Sequence, residues 1–598
     1  MDVEQILTRA EVKECDTWNT ADIFASDEDF LKALDECRER IDGFSRFREL
    51  GFDSADNLLA FYTEYDSLLP VFNNVFNYAS LRSDVDTTDP VYQDYRSRVM
   101  SAAAALSSAT SFSTPKLLKL SDEELEAFYR EKPELLRFRR AIDDERRLSA
   151  HTLSEDEEYL VSLAGELVNT PEDTFSMLTY ADLKFDPIVY QDKKYELTAS
   201  SYSRYMESTD RELRKLAFET LYKRFDELSN TYAAILSSQM KALSFKARAK
   251  KYSSTLDAAL DMSNVSTDVY RNLIKTVHDN LHYMHEYVAL RKKLLGVSEL
   301  HMYDVYAPLV ADSDTVITFE EARDNVLEAM QIYGEDYMNI LRKGFDSRWI
   351  DKYENKGKRG GAYSCGCPVH PYVLLNHKNN IDSEFTLAHE MGHAMHSYLS
   401  NSAQAPIDAE YTLFVAEVAS TCNESLLMQH LLKKTTDRKD RAVLINHFLE
   451  QFKGTLFRQT MFAEFELMIN EMYERGEALT ADVLKEKYIA LNREYFGDEM
   501  ISDPQIALEW ARIPHFYYNY YVYQYATGFS AAIALSGRML KEGEPAVKDY
   551  LRFLSSGCTK DPVSLLREAG VDMATPKPIE DALKLFGELI GEMKELTD

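Results

Sequence analysis

The chain has 598 residues, of which 45% are hydrophobic and 28% are charged, a composition typical of a folded globular protein and not of a disordered segment or a disulfide scaffold. Asp and Glu exceed Lys and Arg by 100 to 68, a formal net charge of −32 that disfavours nucleic acid and other polyanionic partners. This length exceeds what one hydrophobic core usually organises, so we expect two or three lobes.

The cysteines and the first residues bear on location. Six cysteines in a chain of this length are too few and too scattered for a disulfide framework and favour a reducing compartment. Residues 1–16 lack the basic and apolar regions of a signal peptide, and no stretch approaches about 18 uninterrupted apolar residues. We therefore expect a cytoplasmic monomer with no membrane partner.

Most of the sequence predicts amphipathic helices. Three segments combine capping-box spacing with a helical run of apolar residues, namely Ser121–Glu124, Ser154–Glu157 and Thr209–Glu212. The pattern predicts a helix that begins after each of these segments and indicates a mainly α fold.

Two stretches predict short strands instead of helices. Residues 184–200 resemble a hairpin centred on Gln191-Asp192, and residues 347–376 contain short strand candidates around a glycine-rich loop. We expect a small β-sheet beside the helices. Loop signals near 112 and within 183–200 suggest an N-terminal helical region 1–112, a second helical region 113–182 and a catalytic region 183–598.

A metal-binding pattern occupies the segment His389-Glu-Met-Gly-His393. The two imidazoles lie one helical turn apart, so they can bind one ion, although two surface histidines on a helix would show the same spacing. Asp382 or Ser383 can cap the start of this helix. A catalytic zinc site needs three protein ligands and one open position for water, so the pair requires a third ligand.

Two candidates for the third ligand are His396 and Glu417. His396 shares the face of His389, but seven residues of unbroken helix separate the two side chains by about 10.5 Å. Glu417 begins an acidic stripe on a second amphipathic segment, and a solvated acidic face is disfavoured because apolar residues surround it. We predict one zinc ion held by His389, His393 and Glu417, with Glu424 as the acceptor for a ligand histidine.

Zinc held in this way can lower the pKa of a bound water and polarise a substrate carbonyl. Glu390 follows the first ligand directly and suits the role of general base. Gly392 costs about 1 kcal/mol of helix propensity relative to Ala, so a small residue is expected there for a reason such as the close approach of a strand or substrate.

Three further features could handle a peptide chain. The segment Ile513–Tyr525 offers a histidine and six tyrosines as donors to an oxyanion, although an aromatic helix packed in a core would look the same. The glycine-rich loop 357–364 can approach a backbone closely, and residues 371–376 resemble a strand whose edge an extended substrate could pair with. A surface turn and an ordinary sheet strand are the alternatives.

Two other groups resemble partial metal sites. Cys365 and Cys367 are spaced like half a zinc site, and His278, His282 and His285 share one helical face. Neither group has a visible set of partner ligands, so we interpret them as loop cysteines and a solvated face.

The chain resembles oligoendopeptidase F, of the thimet oligopeptidase-like family of zinc metallopeptidases. The resemblance rests on separated motifs that occur in order: His389–His396, Phe414–Ser420, Ile513–Tyr517, Tyr520–Gly528 and the loop that ends Gly361-Ala-Tyr-Ser364. It covers about residues 200–585 as the peptidase region and about 113–182 as the smaller helical region that precedes it in oligoendopeptidase F.

The resemblance implies a mainly α, two-lobed ellipsoid around a deep channel, with a small sheet next to a zincin-type helix, that admits short unstructured peptides. It implies the same zinc ligands and the same acid/base, Glu390. It also implies His515 as a transition-state donor, with Tyr520 as the best-matching tyrosine and Tyr523 as a weaker match. The loop implies substrate contacts by Gly360, Gly361, Ala362 and Tyr363, and the strand after it adds Tyr372.

We therefore expect a zinc metalloendopeptidase that cleaves internal bonds of short oligopeptides. One alternative is an exopeptidase of the same architecture that releases C-terminal fragments. Another is a non-catalytic helical protein that binds zinc or peptides, which Glu390 disfavours because a structural zinc site needs no base.

Overall fold

The computed structural model describes residues 6–310 and 316–597. The described residues are mainly helical, which confirms the expected fold class. In the first part of the chain the α-helices are α1 (Asp27–Asp42), α2 (Ser45–Leu50), α3 (Ala55–Asp84), α4 (Pro90–Thr110), α5 (Ser113–Leu117), α6 (Asp122–Glu131), α7 (Arg139–Arg147), α8 (Glu155–Leu163), α9 (Gly165–Ser176), α10 (Ala199–Met206), α11 (Arg211–Glu227), α12 (Ser229–Ala249), α13 (Thr255–Asp261), α14 (Thr267–Asp279) and α15 (Leu281–Leu295).

The helices of the second part of the chain lie between residues 319 and 597. They are α16 (Phe319–Ala329), α17 (Glu335–Asp346), α18 (Ile381–Ala403), α19 (Pro406–Ala409), α20 (Leu413–Lys434), α21 (Arg438–Gln451), α22 (Arg458–Glu474), α23 (Ala481–Phe496), α24 (Tyr523–Glu542), α25 (Glu544–Leu554), α26 (Pro562–Glu568) and α27 (Lys577–Thr597). Of the helices within the described ranges, none combines the length and apolarity needed to cross a membrane.

The chain divides into two compact units, each built from three separate segments. Unit 1 comprises Met1–Thr152, Thr315–His430 and Leu535–Gly570, and unit 2 comprises Leu153–Asp314, Leu431–Ala534 and Val571–Asp598. These units group residues by contact, whereas the regions 1–112, 113–182 and 183–598 follow the sequence, and that regional division stays a prediction.

In the described part of the chain three short sheets accompany the helices. The strands are β1 (Ile188–Tyr190), β2 (Lys193–Tyr195), β3 (Leu300–His301), β4 (Ile350–Asp351), β5 (Tyr363–Cys365), β6 (Tyr372–Leu374) and β7 (Met500–Ile501). β1 pairs with β2 antiparallel, β3 with β7 parallel, and β6 lies between β4, which is parallel to it, and β5, which is antiparallel. Both stretches for which the sequence predicts strands therefore contain them.

The hairpin β1–β2 turns at the predicted residues. Gln191 and Asp192 have φ angles of 49° and 57°, the left-handed pair that a two-residue turn of type I′ requires, and this turn matches the twist of the strands on either side. Ile188 is the partner of Tyr195 across the hairpin.

Two of the three capping boxes form as predicted. Ser121 and Glu124 cap α6 reciprocally, and Ser154 and Glu157 do so for α8. The third prediction is wrong, because α11 is capped by Asp210, whose side chain accepts from the N–H groups of Glu212 and Leu213. Aspartate is at least as good an N-cap as threonine. Of the two adjacent residues Thr209 and Asp210, the second therefore caps the helix.

Each unit has an aromatic-rich interior. In unit 1 the N-terminal helices close over a core that includes Phe30, Phe61 and Tyr78. In unit 2 the rings of Phe452 and Phe586 pack 5.4 Å apart between their centroids. Side chains of this size remove the most apolar area from water and dominate the packing free energy.

Candidate active site

The helix that carries the metal-binding pattern is α18 in unit 1. Its N-cap is Asn380, whose side chain accepts from the N–H of Ser383 at 3.0 Å, so the prediction of Asp382 or Ser383 as the cap is wrong by two or three residues. In the first turn of α18 the buried carboxylate of Glu384 accepts a hydrogen bond from Asn325 of α16 at 2.7 Å. The helix packs beside β5 and β6, which confirms the expected small sheet next to it.

The two imidazoles and Glu417 converge. Oε2 of Glu417 lies 3.2 Å from Nε2 of His389 and 3.6 Å from Nε2 of His393. Within the described residues these three side chains are the only group of three or more His, Cys, Asp or Glu whose donor atoms lie close enough to share an ion, all within 4.8 Å of one another. Glu417 therefore faces the histidines, and 30% of its side chain is exposed.

Gly392 explains how the second helix comes so close. A Cβ at this position would lie 2.6 Å from Cα of Ser420 and 2.7 Å from the carbonyl oxygen of Ala419. The backbones of α18 and α20 thus touch at this glycine, three residues from Glu417. A close approach does explain the glycine, but the approaching segment is the helix that carries Glu417 and not a strand or a substrate.

The donor set fits zinc. Four tetrahedral donors at zinc–nitrogen and zinc–oxygen distances of 2.0–2.2 Å lie about 3.3 Å from one another, and the separations of 3.2 and 3.6 Å between Glu417 and the two imidazoles match this value. Two imidazoles and one carboxylate leave the fourth position open, as a catalytic zinc site requires.

Glu390 lies next to the donor set and is buried, with a relative exposure of 6%. Its Oε2 has no hydrogen-bond partner within the described residues. Burial raises the pKa of this carboxyl group, and the two histidines oppose that shift. A buried carboxylate with an unused oxygen beside an open metal position is suited to take up and release a proton.

Glu424, two turns beyond Glu417 on α20, contacts His389. Nδ1–H of His389 donates to Oε1 of Glu424, which leaves Nε2 as the atom that can bind a metal. From the same helix Asn423 donates to the carbonyl of Ala388 at 3.2 Å and accepts from the hydroxyl of Tyr333 at 3.1 Å. Asn423 was not singled out from the sequence, since an amide within an apolar helix gives no signal.

His396 lies away from the donor atoms. Its ring stacks on Tyr411 with 3.6 Å between the centroids and an angle of 4°, and it is 1% exposed. Burial lowers the pKa of this imidazole to about 3. The helix geometry that excluded His396 as a ligand is confirmed.

The glycine-rich loop leads into the edge strand β5. Gly361 has a φ angle of 81°, and a Cβ at Gly360 or Gly361 would meet no atom within 4 Å. The side chain of Asn376 donates to the carbonyl of Gly361 at 2.7 Å, and Tyr363, after Ala362, donates its hydroxyl to Asp84 at 2.9 Å. The loop is thus anchored at Gly361 and Tyr363, while a side chain at Gly360 or Gly361 would face open space.

The predicted strand 371–376 contains β6, which is paired with another strand on both sides. β6 is the middle strand, so the expectation that a substrate pairs with it is wrong for Tyr372–Leu374. Tyr372 is fully buried and donates its hydroxyl to the carbonyl of Asn19 at 2.9 Å. Among the described residues of this sheet the edge strands are β4 and β5, and β5 is the one that follows the glycine-rich loop.

His515 lies in unit 2, in the short helical turn Pro514–Tyr517. Its ring has Tyr521 and Tyr525 beside it, at 6.4 and 6.1 Å between centroids. Burial lowers the pKa of His515, and the positive charge of Arg458 adds to this shift. A neutral histidine among tyrosines can donate hydrogen bonds to a developing oxyanion.

The two tyrosines taken from the resemblance have different surroundings. Tyr520 is 1% exposed, its hydroxyl lies 2.9 Å from Oγ1 of Thr255, and its N–H donates to Glu466 at 2.7 Å. Tyr523 is 3% exposed and packs against Tyr270 at 4.9 Å. The roles of Tyr520 and Tyr523 stay predictions. Tyr521 and Tyr525, which flank His515, were not separated from the other tyrosines because the turn that orients them is invisible in sequence.

The surroundings of the remaining groups differ from those interpreted from the sequence. Cys365 ends strand β5 and does not lie in a loop. His278 lies in α14 and His285 in α15, and both contact Glu494 of α23, so the histidines do not form one solvated face. Cys365 donates to Asn77 at 2.9 Å and Cys367 to Asn74 at 3.4 Å, and all six cysteines are free. His278 forms an ion pair with Glu464 in unit 2. None of these residues belongs to the donor group found in the described part of the chain.

Comparison with known proteins identifies the family of the chain. Residues 204–585 match the family described as "Peptidase family M3", and residues 116–185 match "Oligopeptidase F". Oligopeptidase PepF of Bacillus subtilis is 45% identical over 99% of this chain and 89% of its own length, and group B oligopeptidase PepB of Streptococcus agalactiae is 38% identical over 98% of both.

A solved structure agrees as well. That of oligoendopeptidase-F from Enterococcus faecium is 36% identical, with a TM-score of 0.74 over 96% of this chain and 98% of that one. The family match spans the helices that carry the metal donors and the turn that carries His515. The chain therefore belongs to peptidase family M3 and is a metallopeptidase.

Proposed function

We propose that this protein is a zinc metalloendopeptidase that hydrolyses internal peptide bonds of short, unstructured oligopeptides. The observation that carries the proposal is the arrangement of three donor atoms within 4.8 Å of one another beside the buried carboxylate of Glu390. The names of the relatives, oligopeptidase PepF and oligoendopeptidase-F, support the substrate class. The high negative charge and the free cysteines support a cytoplasmic monomer without nucleic-acid partners.

Zinc, when bound, supplies a Lewis acid that activates a water and polarises the scissile carbonyl. His389, His393 and Glu417 would hold it. Glu424 keeps Nδ1 of His389 protonated, so that Nε2 faces the metal. Oε2 of Glu390, which has no partner among the described residues, accepts the proton of the attacking water and later delivers it to the leaving amine.

The substrate backbone is proposed to lie along β5. Its unpaired edge offers backbone N–H and C=O groups to an extended peptide. The loop at Gly360, Gly361 and Ala362 precedes this strand, and the absence of side chains at the two glycines allows a second backbone to come close. Tyr363 contributes mainly through its backbone, since its hydroxyl is engaged by Asp84.

His515 is proposed to donate to the oxyanion that forms on the scissile carbonyl. Its lowered pKa keeps the imidazole neutral near pH 7, so one ring nitrogen donates without adding a charge. Tyr520 and Tyr523 are the tyrosine donors that the resemblance implies, and the contacts of Tyr520 with Thr255 and Glu466 also suit a role in holding the turn in place.

The decisive experiment is Glu390→Gln in the zinc-loaded protein, assayed with an internally quenched peptide. We expect kcat to fall by about 10²–10⁴ because the general base is lost, while zinc affinity stays close to that of the wild type since no ligand changes. Unchanged turnover with zinc bound would rule the mechanism out. Chelation should abolish turnover and added zinc should restore it, which a non-catalytic zinc or peptide-binding protein would not show.

The same assay separates the endopeptidase from an exopeptidase of this architecture. A peptide blocked at its C-terminus by an amide should still be cut at internal bonds, and mass spectrometry of the products identifies them. Complete resistance of the blocked peptide would favour the C-terminal exopeptidase.

A further inference from the structure

Unit 2 contains a cavity that is lined entirely by residues of this unit. It has a volume of about 510 Å³ and lies between the hairpin β1–β2, the segment Met177–Asp182 and helices α10 and α11. Most of its wall is apolar or aromatic, with contributions from Leu183, Phe185, Leu197, Leu221 and Phe225. A volume of this size accommodates one or two amino-acid residues, and it exceeds what packing defects leave in a core.

The polar part of the wall is cationic. Arg512, Lys184 and Lys194 line the cavity, against one carboxylate, Glu196. In a chain with a formal net charge of −32, a cavity lined by three cations and one anion departs from the average surface. Such a cavity attracts anions, and its apolar walls strengthen the attraction.

Arg512 is held rigidly and incompletely paired. Its Nη2 donates to Glu509 at 3.0 Å and its Nε to the hydroxyl of Tyr222 at 3.2 Å, while no acceptor among the described residues binds Nη1. Glu509 is shared, because Arg458 donates to the same oxygen at 2.7 Å and the hydroxyl of Tyr488 to the other at 2.6 Å. One buried carboxylate thus serves two guanidinium groups, and a positive charge remains for a ligand.

We propose that this cavity binds the C-terminal residue of the peptide substrate, with the α-carboxylate on Arg512 and an apolar side chain against the aromatic wall. A carboxylate on an apolar body matches both halves of the lining, and the terminal carboxylate is the anion that every unmodified peptide carries. Guanidinium groups recognise carboxylates with two-pronged geometry.

The position of the cavity in unit 2 supports a role in the reaction, and this step rests on the proposed function of His515. Arg512 precedes His515 by three residues, so their Cα atoms are at most about 10 Å apart. The wall segment Met177–Asp182 follows Phe175, whose ring stacks on Tyr517 with 4.6 Å between centroids. A peptide that His515 contacts therefore has Arg512 within the reach of a few residues.

The first experiment compares two peptides of identical sequence ending in leucine, one with a free carboxylate and one with an amide, in the zinc-loaded wild type. We expect KM to be about tenfold lower for the free acid at similar kcat, since a charge-assisted pair is lost in the amide. N-acetyl-leucine should compete with hydrolysis, and N-acetyl-leucinamide at the same concentration should not. Equal KM values, or no competition by N-acetyl-leucine, would overturn the proposal.

Variants then locate the effect. Arg512→Gln should raise KM for the free-acid peptide to the value for the amide peptide. KM for the amide peptide should stay the same. Lys194→Gln should raise KM for the free acid by about two- to fivefold, whereas Lys193→Gln, an equal charge change on the neighbouring residue that does not line the cavity, should leave it unaltered. If Arg512→Gln does not fold, the comparison of Lys194→Gln with Lys193→Gln tests the location. Equal effects of the two variants on KM for the free-acid peptide would reject this cavity as the binding site.

Failure of the proposed function gives a different result. A protein that hydrolyses neither peptide when loaded with zinc is no peptidase, yet calorimetric titration of the wild type with N-acetyl-leucine and its amide still measures the cavity. Binding of the acid alone supports the carboxylate site, and no difference between the two compounds rejects it.

Discussion

At the scale of single residues, the position of Glu424 yields a prediction about metal affinity. It accepts from Nδ1–H of His389, and removal of such an outer partner typically weakens metal binding 10–100-fold. Glu424→Ala should show a loss of that size in a competition titration against a zinc chelator, and Glu424→Gln a smaller one because its carbonyl still accepts. Glu410→Ala, an exposed acid before the same helix, is the control, and equal affinity in all four proteins would contradict the assignment.

The grouping of His389, His393 and Glu417 could be predicted residue by residue, whereas the side chains that contact this group could be predicted only in part. Spacing and helix geometry placed His389, His393 and Glu417, because one helix fixes the first two and an apolar setting marks the third. Asn423 and Tyr521 gave no such signal, since their roles depend on contacts between segments far apart in sequence. Tyr372 was misplaced for the same reason, as nothing in residues 371–376 indicates that β6 has a neighbour on both sides.

At the scale of elements, the contact of α18 with α20 depends on Gly392. Gly392→Ala gains about 1 kcal/mol of helix propensity, but its Cβ would lie 2.6 Å from the backbone of Ser420, and overpacking of this kind costs about 1–3 kcal/mol. We expect a net loss of thermal stability together with weaker zinc binding, because Glu417 moves with α20. Calorimetry and zinc titration measure the two effects.

The control for this substitution is Gly537→Ala, in α24. A Cβ there would meet no atom within 4 Å, so the gain in helix propensity should appear alone, as an unchanged or slightly higher melting temperature with unaltered zinc affinity. A Gly392→Ala protein that matches this control in both measurements would show that the two helices can separate at no cost.

Local signals predicted elements well where one interaction decides the outcome. The left-handed turn at Gln191 and Asp192 leaves the hairpin few alternatives, and the boxes at Ser121 and Ser154 satisfy the first N–H groups of their helices. Where neighbours offer similar caps, as Thr209 and Asp210 do, the difference is a few tenths of a kcal/mol. Packing against the rest of the fold then decides which residue caps the helix, and the spacing of residues in the sequence gives no information about this packing.

At the scale of the whole molecule, the assembly of each unit from three separate segments lies beyond local sequence signals. Contacts between distant segments depend on which apolar faces meet, and many pairings satisfy the same periodicity. The metal donors nevertheless belong to one of these segments, Thr315–His430. The site is therefore built from a helix pair close in sequence, which is why it could be predicted when the arrangement of the segments could not.

Because the donors join α18 to α20, zinc should stabilise the folded chain. A ligand that binds only the folded state at about 100 times its Kd adds roughly 2.7 kcal/mol, which for a chain of 598 residues corresponds to a rise in melting temperature on the order of 2 °C. Calorimetry of the chelated and zinc-loaded wild type measures this rise. Glu390→Gln should keep it, since this carboxylate is no ligand, and His393→Ala should lose most of it. A rise that survives in His393→Ala would mean that zinc stabilises the chain from somewhere other than the three donors.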